Sequence, residues 1–126
     1  MNFIHGSAQS GRFVSDGGDV TIDLPGGHTT VGPVTLGIRP EDLYVADAPT
    51  SKQLSEPIRG NLEVQEPMGN EIVVYVHVGP EIRLVARVDP QPLEDGPLLL
   101  RADLGKLHVF DRESGQAIPA TRQLAA

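Results

Sequence analysis

The residues from which a metal or acid–base centre would have to be built are four histidines, His5, His28, His77 and His108, and a short run of aspartates, Asp16, Asp19 and Asp23. The histidines never fall in an H-x-H or H-E-x-x-H spacing, and the absence of cysteine removes the thiolates that would complete a tetrahedral zinc site. His77 and His108 sit inside apolar, strand-like segments, where a structural histidine is the simpler reading. The aspartates lack the ligand order and closing glutamate of a calcium loop and read as solvated turn carboxylates. Phosphate chemistry fares no better. A phosphate-binding loop carries a glycine five positions before its Gly-Lys pair and a hydroxyl after it, whereas Gly105-Lys106 has Leu100 at that distance and Leu107 behind it. Gly17-Gly18 and Gly26-Gly27 form no GxGxxG, Gly27-His28 reads as a hairpin tip, and no serine sits in a G-x-S-x-G elbow. No catalytic, cofactor-binding or metal-ligating set is therefore expected.

The elements that would position any site are short. Gly17-Gly18, Gly26-Gly27 and Gly32-Pro33 break the first 48 residues into hairpins, leaving candidate strands at Val20–Leu24 and Val34–Ile38. Arg39-Pro40-Glu41-Asp42-Leu43 predicts one helical turn, because proline suits a first helical position and two carboxylates favour the positive end of a helix dipole. Residues 47–57, polar and bracketed by Pro49 and Pro57, read as an exposed, mobile connection. Ile58, Leu62 and Val64 alternate with Arg59, Asn61, Glu63 and Gln65 as a strand with one buried face. Gly69-Asn70 predicts a tight hairpin turn, and the partner strand Ile72–Val78 is too β-branched for a helix. A third strand carries Ile82, Leu84, Ala86 and Val88, and a turn region runs from Pro90 to Pro97. Leu98–Leu100, Leu107–Phe110 and Gln116–Ile118 complete a set of short strands joined by Gly and Pro turns, which favours a small barrel or a sandwich.

Length and composition agree with that class. A chain of 126 residues is one domain's worth, able to bury about two thirds of its unfolded surface. Its 14 glycines and 11 prolines are too many for a helical protein. Seventeen acidic against ten basic residues give a net charge of −7, which repels phosphate backbones and anionic lipid. Phe3, Phe13, Tyr44, Tyr75 and Phe110 are its only aromatics, and two lysines accompany eight arginines, so a basic stacking groove for nucleic acid is not expected. The N-terminus lacks the basic start and apolar run of a signal peptide, and no apolar stretch approaches a membrane span. A soluble, cytoplasmic protein is the expectation.

Three segments carry a family likeness. Leu36-Gly37-Ile38-Arg39-Pro40-Glu41-Asp42 resembles the LGIRPED signature of the ATP-binding subunits of maltose-importer-type ABC transporters. Val64-Gln65-Glu66-Pro67-Met68-Gly69-Asn70-Glu71 is similar to that family's VEPLGNE hairpin, and Leu107-His108-Val109-Phe110-Asp111-Arg112-Glu113-Ser114-Gly115 to its closing LHLFDxETG. Met1-Asn2-Phe3 matches the strand that opens the same region. The resemblance implies an all-β, OB-fold-like small barrel of short strands with an N-terminal β-hairpin region and one short helical turn. It also implies that residues 1–118 are the transport-associated (TOBE) regulatory domain and 119–126 a tail. The ATPase domain, with its ATP and magnesium sites, lies outside this sequence. The implied role is non-catalytic: a homodimer through the barrel, beside an ATPase domain and membrane permease subunits, peripheral to the inner membrane and open to a regulatory protein.

The motif positions become candidate interface or regulatory residues. Arg39 with Glu41 and Asp42 offers either a local ion pair or a contact across a dimer. Gly69 and Asn70 serve turn geometry or face a partner. Phe110, next to Asp111, either fills the core or anchors an interface, and Leu98–Leu100 either cover a dimer contact or form a doubly buried strand. The alternative to a regulatory domain is a free-standing barrel that binds a small oxyanion or saccharide through turn amides and Arg39.

Overall fold

From Asn2 to Gln9 every second residue turns inward, so that Asn2, Ile4, Gly6 and Ala8 are buried while Phe3, His5, Ser7 and Gln9 face out along strand β1 (Asn2–Gln9). The computed structural model describes residues 1–25 and 30–118; the expected hairpin tip at Gly27-His28 and the tail 119–126 lie outside them. Ser10 and Gly11 reverse the chain with φ of 54° and 75°, the pair of positive values that lets a two-residue turn follow the strand twist. Strand β2 (Arg12–Ser15) then returns alongside β1, followed by β3 (Thr21–Asp23) and β4 (Gly32–Ile38). With β10 (His108–Asp111) they form an antiparallel sheet in the order β10-β4-β1-β2-β3.

The second sheet is built from β5 (Leu43–Val45), β6 (Ile58–Pro67), β7 (Ile72–Val78), β8 (Ile82–Val88) and β9 (Gly96–Ala102), in the order β5-β9-β6-β7-β8. Its two end strands, β5 and β8, come into contact, so the sheet curls into a half-barrel. Phe13, Ile22, Leu36 and Ile38 from the first sheet and Val74, Ala86, Leu100 and Ala102 from the second are fully buried in one continuous core. The expected helical turn is present as a 3₁₀ turn at Pro40–Asp42 between β4 and β5, and a second 3₁₀ turn, Leu104–Lys106, starts at Asp103, whose carboxylate accepts the Gly105 N–H.

Four expectations need correction. A bulge between Leu62 and Val64 leaves Glu63 without a partner on β7, and one extra residue reverses the phase of alternation. Leu62 is therefore 3% exposed and Val64 51%, on opposite faces rather than one. Leu98–Leu100 lie within β9 but alternate, with Leu99 on the outside, so the strand is not doubly buried. Gln116–Ile118 form no strand; the Asp111 turn leaves room for a single bridge from Phe110 to Ala117. The connection 47–57 is not exposed throughout, because Ala48 and Leu54 are half-buried and Ser55 is buried and exchanges hydrogen bonds with Ala102 at the end of β9.

One side chain ties the sheets together by imitating backbone. Asn2 Nδ2 donates to Ile38 O at 3.1 Å and Val85 O at 2.9 Å, and its Oδ1 accepts the Val85 N–H at 2.8 Å. Val85 belongs to β8, the edge strand of the half-barrel, and would otherwise leave its N–H and C=O unpaired. Asn2→Ala strands both groups and is expected to lower stability by about 1–3 kcal/mol in a denaturant titration, with the far-ultraviolet strand signal of the folded state unchanged.

Candidate interaction surface

Three strands of the first sheet meet on its outer face. In register, Phe3 of β1 lies beside Gly37 of β4, which lies beside His108 of β10, and the neighbouring row is His5, Thr35 and Phe110. Phe3 and Phe110 are diagonal neighbours across β4. They meet edge to face with centroids 6.1 Å apart, the geometry in which one ring's positive edge faces the other's negative face. His108 stacks on Phe110 at 6.3 Å. Gly37 is the floor of this cluster: a Cβ there would lie 2.7 Å from Met1 Sδ and 3.0 Å from Phe110 Cε2. The glycine of the Leu36–Asp42 segment is thus required by close approach, its neighbours Leu36 and Ile38 being buried on the opposite face.

The cluster remains open to water. Phe3 is 61% and Met1 46% exposed, and none of Met1, Phe3, His108 and Phe110 carries a carboxylate in a chain of net charge −7. Thr35 and His5 add a polar margin, joined by a hydrogen bond of 2.9 Å between the His5 Nδ1 and the Thr35 hydroxyl. Phe110 is itself half-buried, lying between the exposed ring of Phe3 and the half-buried ring of His108.

The 3₁₀ turn separates the three charges for which a local pair and a contact across a dimer were the two readings. Arg39 is extended at φ −72° and ψ 147°, as a residue before proline must be, and it points into solvent. Among the described residues no carboxylate comes within ion-pair distance of it. Glu41 is exposed, whereas Asp42 folds inward to 7% exposure beside Asp103, itself 5% exposed. Burial pushes the Asp42 carboxyl above its ordinary value, the Glu41 and Asp103 carboxylates push it further, and Lys106 and Lys52 pull back.

The remaining candidates lie apart. Gly69 and Asn70 form the exposed tip of the β6–β7 hairpin, where Gly69 has a φ of 87° and Met68 N–H bonds Glu71 O at 2.8 Å. Nothing approaches the Gly69 Cα face, so the turn alone demands glycine. Asp111 organises the last turn: its carboxylate accepts the Ser114 hydroxyl at 2.7 Å and the Ser114 N–H at 3.2 Å, and these bonds hold it below the usual carboxylate range. The structure thus brings Phe110 to Gly37 and Phe3, leaves Arg39, Glu41 and Asp42 at the junction of the sheets, and sends Gly69 and Asn70 to a distant tip. Met1, Phe3 and His108 were not singled out from sequence as surface residues. Their signal was the outward parity of Phe3 and His5, masked because the inward positions of β1 include Asn2 and Gly6. Among the described residues no group of three or more His, Asp or Glu side chains is placed to hold a metal ion.

Comparison with known proteins agrees with this architecture. A family model described as the MalK OB fold domain matches residues 1–43, and one described as the TOBE domain matches residues 36–110. The chain is 29% identical over 119 residues to the sn-glycerol-3-phosphate import ATP-binding protein UgpC of Jannaschia sp. (strain CCS1), covering 94% of this chain and 32% of that protein. It is 29% identical over 124 residues to the osmoprotective compounds uptake ATP-binding protein GgtA of Synechocystis sp. (94% and 34%). It is 30% identical over 128 residues to the trehalose/maltose import ATP-binding protein MalK of Thermococcus litoralis (94% and 34%). The chain spans about a third of the length of the curated relatives it matches.

The raised Asp42 gives a pH dependence with a definite sign. Its folded-state value lies above the ordinary 3.8, so its contribution to stability is complete below that pH and is lost as pH rises through the folded value. Asp42→Asn is therefore expected to melt higher than the parent near neutral pH, with the gap closing as the pH falls towards 3.8, read as melting temperature against pH.

Proposed function

Because the chain belongs to the TOBE domain family, carrying the OB fold found in ATP-binding subunits of ABC importers, we propose that it is the non-catalytic regulatory and dimerisation domain of such a subunit, in an importer of sugars or related solutes. Nucleotide and magnesium belong to an ATPase domain outside this sequence, and the barrel binds neither. Its work is mechanical. Two copies hold two ATPase subunits together while nucleotide-driven closure is passed to membrane permease partners, and the same surface is available to a regulatory protein. The assembly sits on the cytoplasmic side of the inner membrane. No helix among the described residues is long and apolar enough to cross a membrane, which accords with a peripheral placement.

The observation that carries this reading is the aromatic cluster over Gly37. Exposed aromatics with little side-chain entropy to lose are the residues that anchor protein interfaces, and this pair is pre-arranged by three strands. The importer relatives, named for glycerol phosphate, osmoprotectants and trehalose or maltose, support the solute class.

Sedimentation equilibrium across a wide concentration range is expected to show a monomer–dimer equilibrium. Phe3→Ser with Phe110→Ser is expected to weaken it by at least about tenfold, the effect of roughly 1.4 kcal/mol, without loss of the folded-state melt. A strict monomer at high concentration removes self-association. Calorimetric titration with ATP and magnesium is expected to show no heat of binding, and micromolar affinity contradicts a barrel without nucleotide chemistry.

A further inference from the structure

The connection from β5 to β6 is mostly polar, and between Asp47 and Pro57 Ser55 alone is buried, with Ala48 and Leu54 half-buried. At its centre two contacts are between backbones, Leu104 N–H to Gln53 O at 2.9 Å and Ser55 N–H to Ala102 O at 2.8 Å, and the Arg101 side chain adds a third through Nε to Ser55 O at 2.7 Å. At its margins they are ionic. Lys52 Nζ lies 3.4 Å from Asp103 Oδ2, on the second sheet, and Glu56 Oε1 lies 3.4 Å from Arg12, on the first. The connection is therefore a strap fastened to both sheets, and three of the four charged groups at its fastenings are 45–54% exposed.

Exposed ion pairs are screened by salt, while uncharged buried contacts are not. The other tie between the sheets, Asn2 on Val85, is uncharged, as is the core. Rising ionic strength thus weakens the strap's ionic margins and leaves its hydrogen-bonded centre in place. We propose that the strap has an ionic latch at each margin: Lys52 on Asp103 and Glu56 on Arg12 hold the chain on either side of Ser55 at low ionic strength, and high ionic strength frees these margins while the Ser55–Ala102 bonds and the barrel stay intact. Release detaches Arg12, at the β1–β2 hairpin end, from the strap and frees the chain before Gln53, where Lys52 lies. This goes beyond the dimerisation reading and does not depend on it.

Lys52 is the sole lysine or arginine between Arg39 and Arg59, so trypsin cleavage after it reports the strap's opening directly. The intact chain is digested under limiting trypsin at salt concentrations from about 0.01 M to about 1 M, over which the screening length falls from about 30 Å to about 3 Å. A synthetic peptide spanning the same bond corrects for salt effects on the protease. The corrected rate is expected to rise several-fold with salt. Asp103→Asn keeps an oxygen for the Gly105 N–H but loses the charge; it and Glu56→Gln are each expected to raise the low-salt rate roughly two- to fivefold and to flatten the salt dependence. Lys52→Arg, which keeps both the pair and the cleavage site, is expected to stay protected. A corrected rate independent of salt overturns the latch, as does a low-salt rate unmoved by both neutralising variants. Cleavage that merely follows the global melt under the same conditions overturns it too.

Discussion

The open edge of the half-barrel is closed against the first sheet by a single amide. Asn2 does for β8 what a neighbouring strand would do, offering one donor and one acceptor to Val85 while its second hydrogen reaches Ile38. A half-barrel whose end strands touch without pairing has an edge to protect, and this edge is covered by a residue of the other sheet. Because Asn2 is also the first residue of β1, the bond that shields the edge sets where β1 begins. Met1 and Phe3 are thereby carried to the floor provided by Gly37.

That linkage explains how a short acidic chain presents an apolar face at all. Surface ion pairs such as Arg83 with Glu63 or Arg112 with Asp16 contribute little each in water, so the fold rests on the packed interior and its few buried polar bonds. The outer face of the first sheet is released from that duty. β4 buries Val34, Leu36 and Ile38 on one side and leaves Gly37 on the other, which lets aromatic side chains from strands far apart in sequence touch over a bare backbone.

What could be read from the sequence follows the same physics. β7 and β8 were legible because nearly every inward position is a branched or bulky aliphatic, and the Pro40 turn because proline constrains both itself and its predecessor. β1 was not, since Asn2 and Gly6 occupy dry positions for reasons visible only in three dimensions: one mimics a strand, and the other leaves space for Phe13. The family likeness identified the motif residues and was right about the fold. It did not say that Asp42 turns inward while Arg39 turns out, nor that Asp111 spends its carboxylate on Ser114. Those outcomes depend on burial and on hydrogen-bond partners that spacing does not encode. Phe110 lay between: its residue type suggested an anchor, but only the meeting of β1, β4 and β10 placed Phe3 against it.

The bulge at Glu63 bears on how the chain tolerates change in length. Most hairpins accept an inserted or deleted residue at their tips, where backbone is exposed and loosely paired. Position 63 is a second such place, inside a strand. Val64 lies opposite Tyr75 and Gln65 opposite Val74 whether or not the extra residue is present, so removing Glu63 would join Leu62 to Val64 and leave the inner and outer faces of both strands unchanged. The bulge is thus slack in the ladder, one residue that can be given up without turning any neighbour over. Along β6, then, a change in length is absorbed at Glu63 as well as at the hairpin tip.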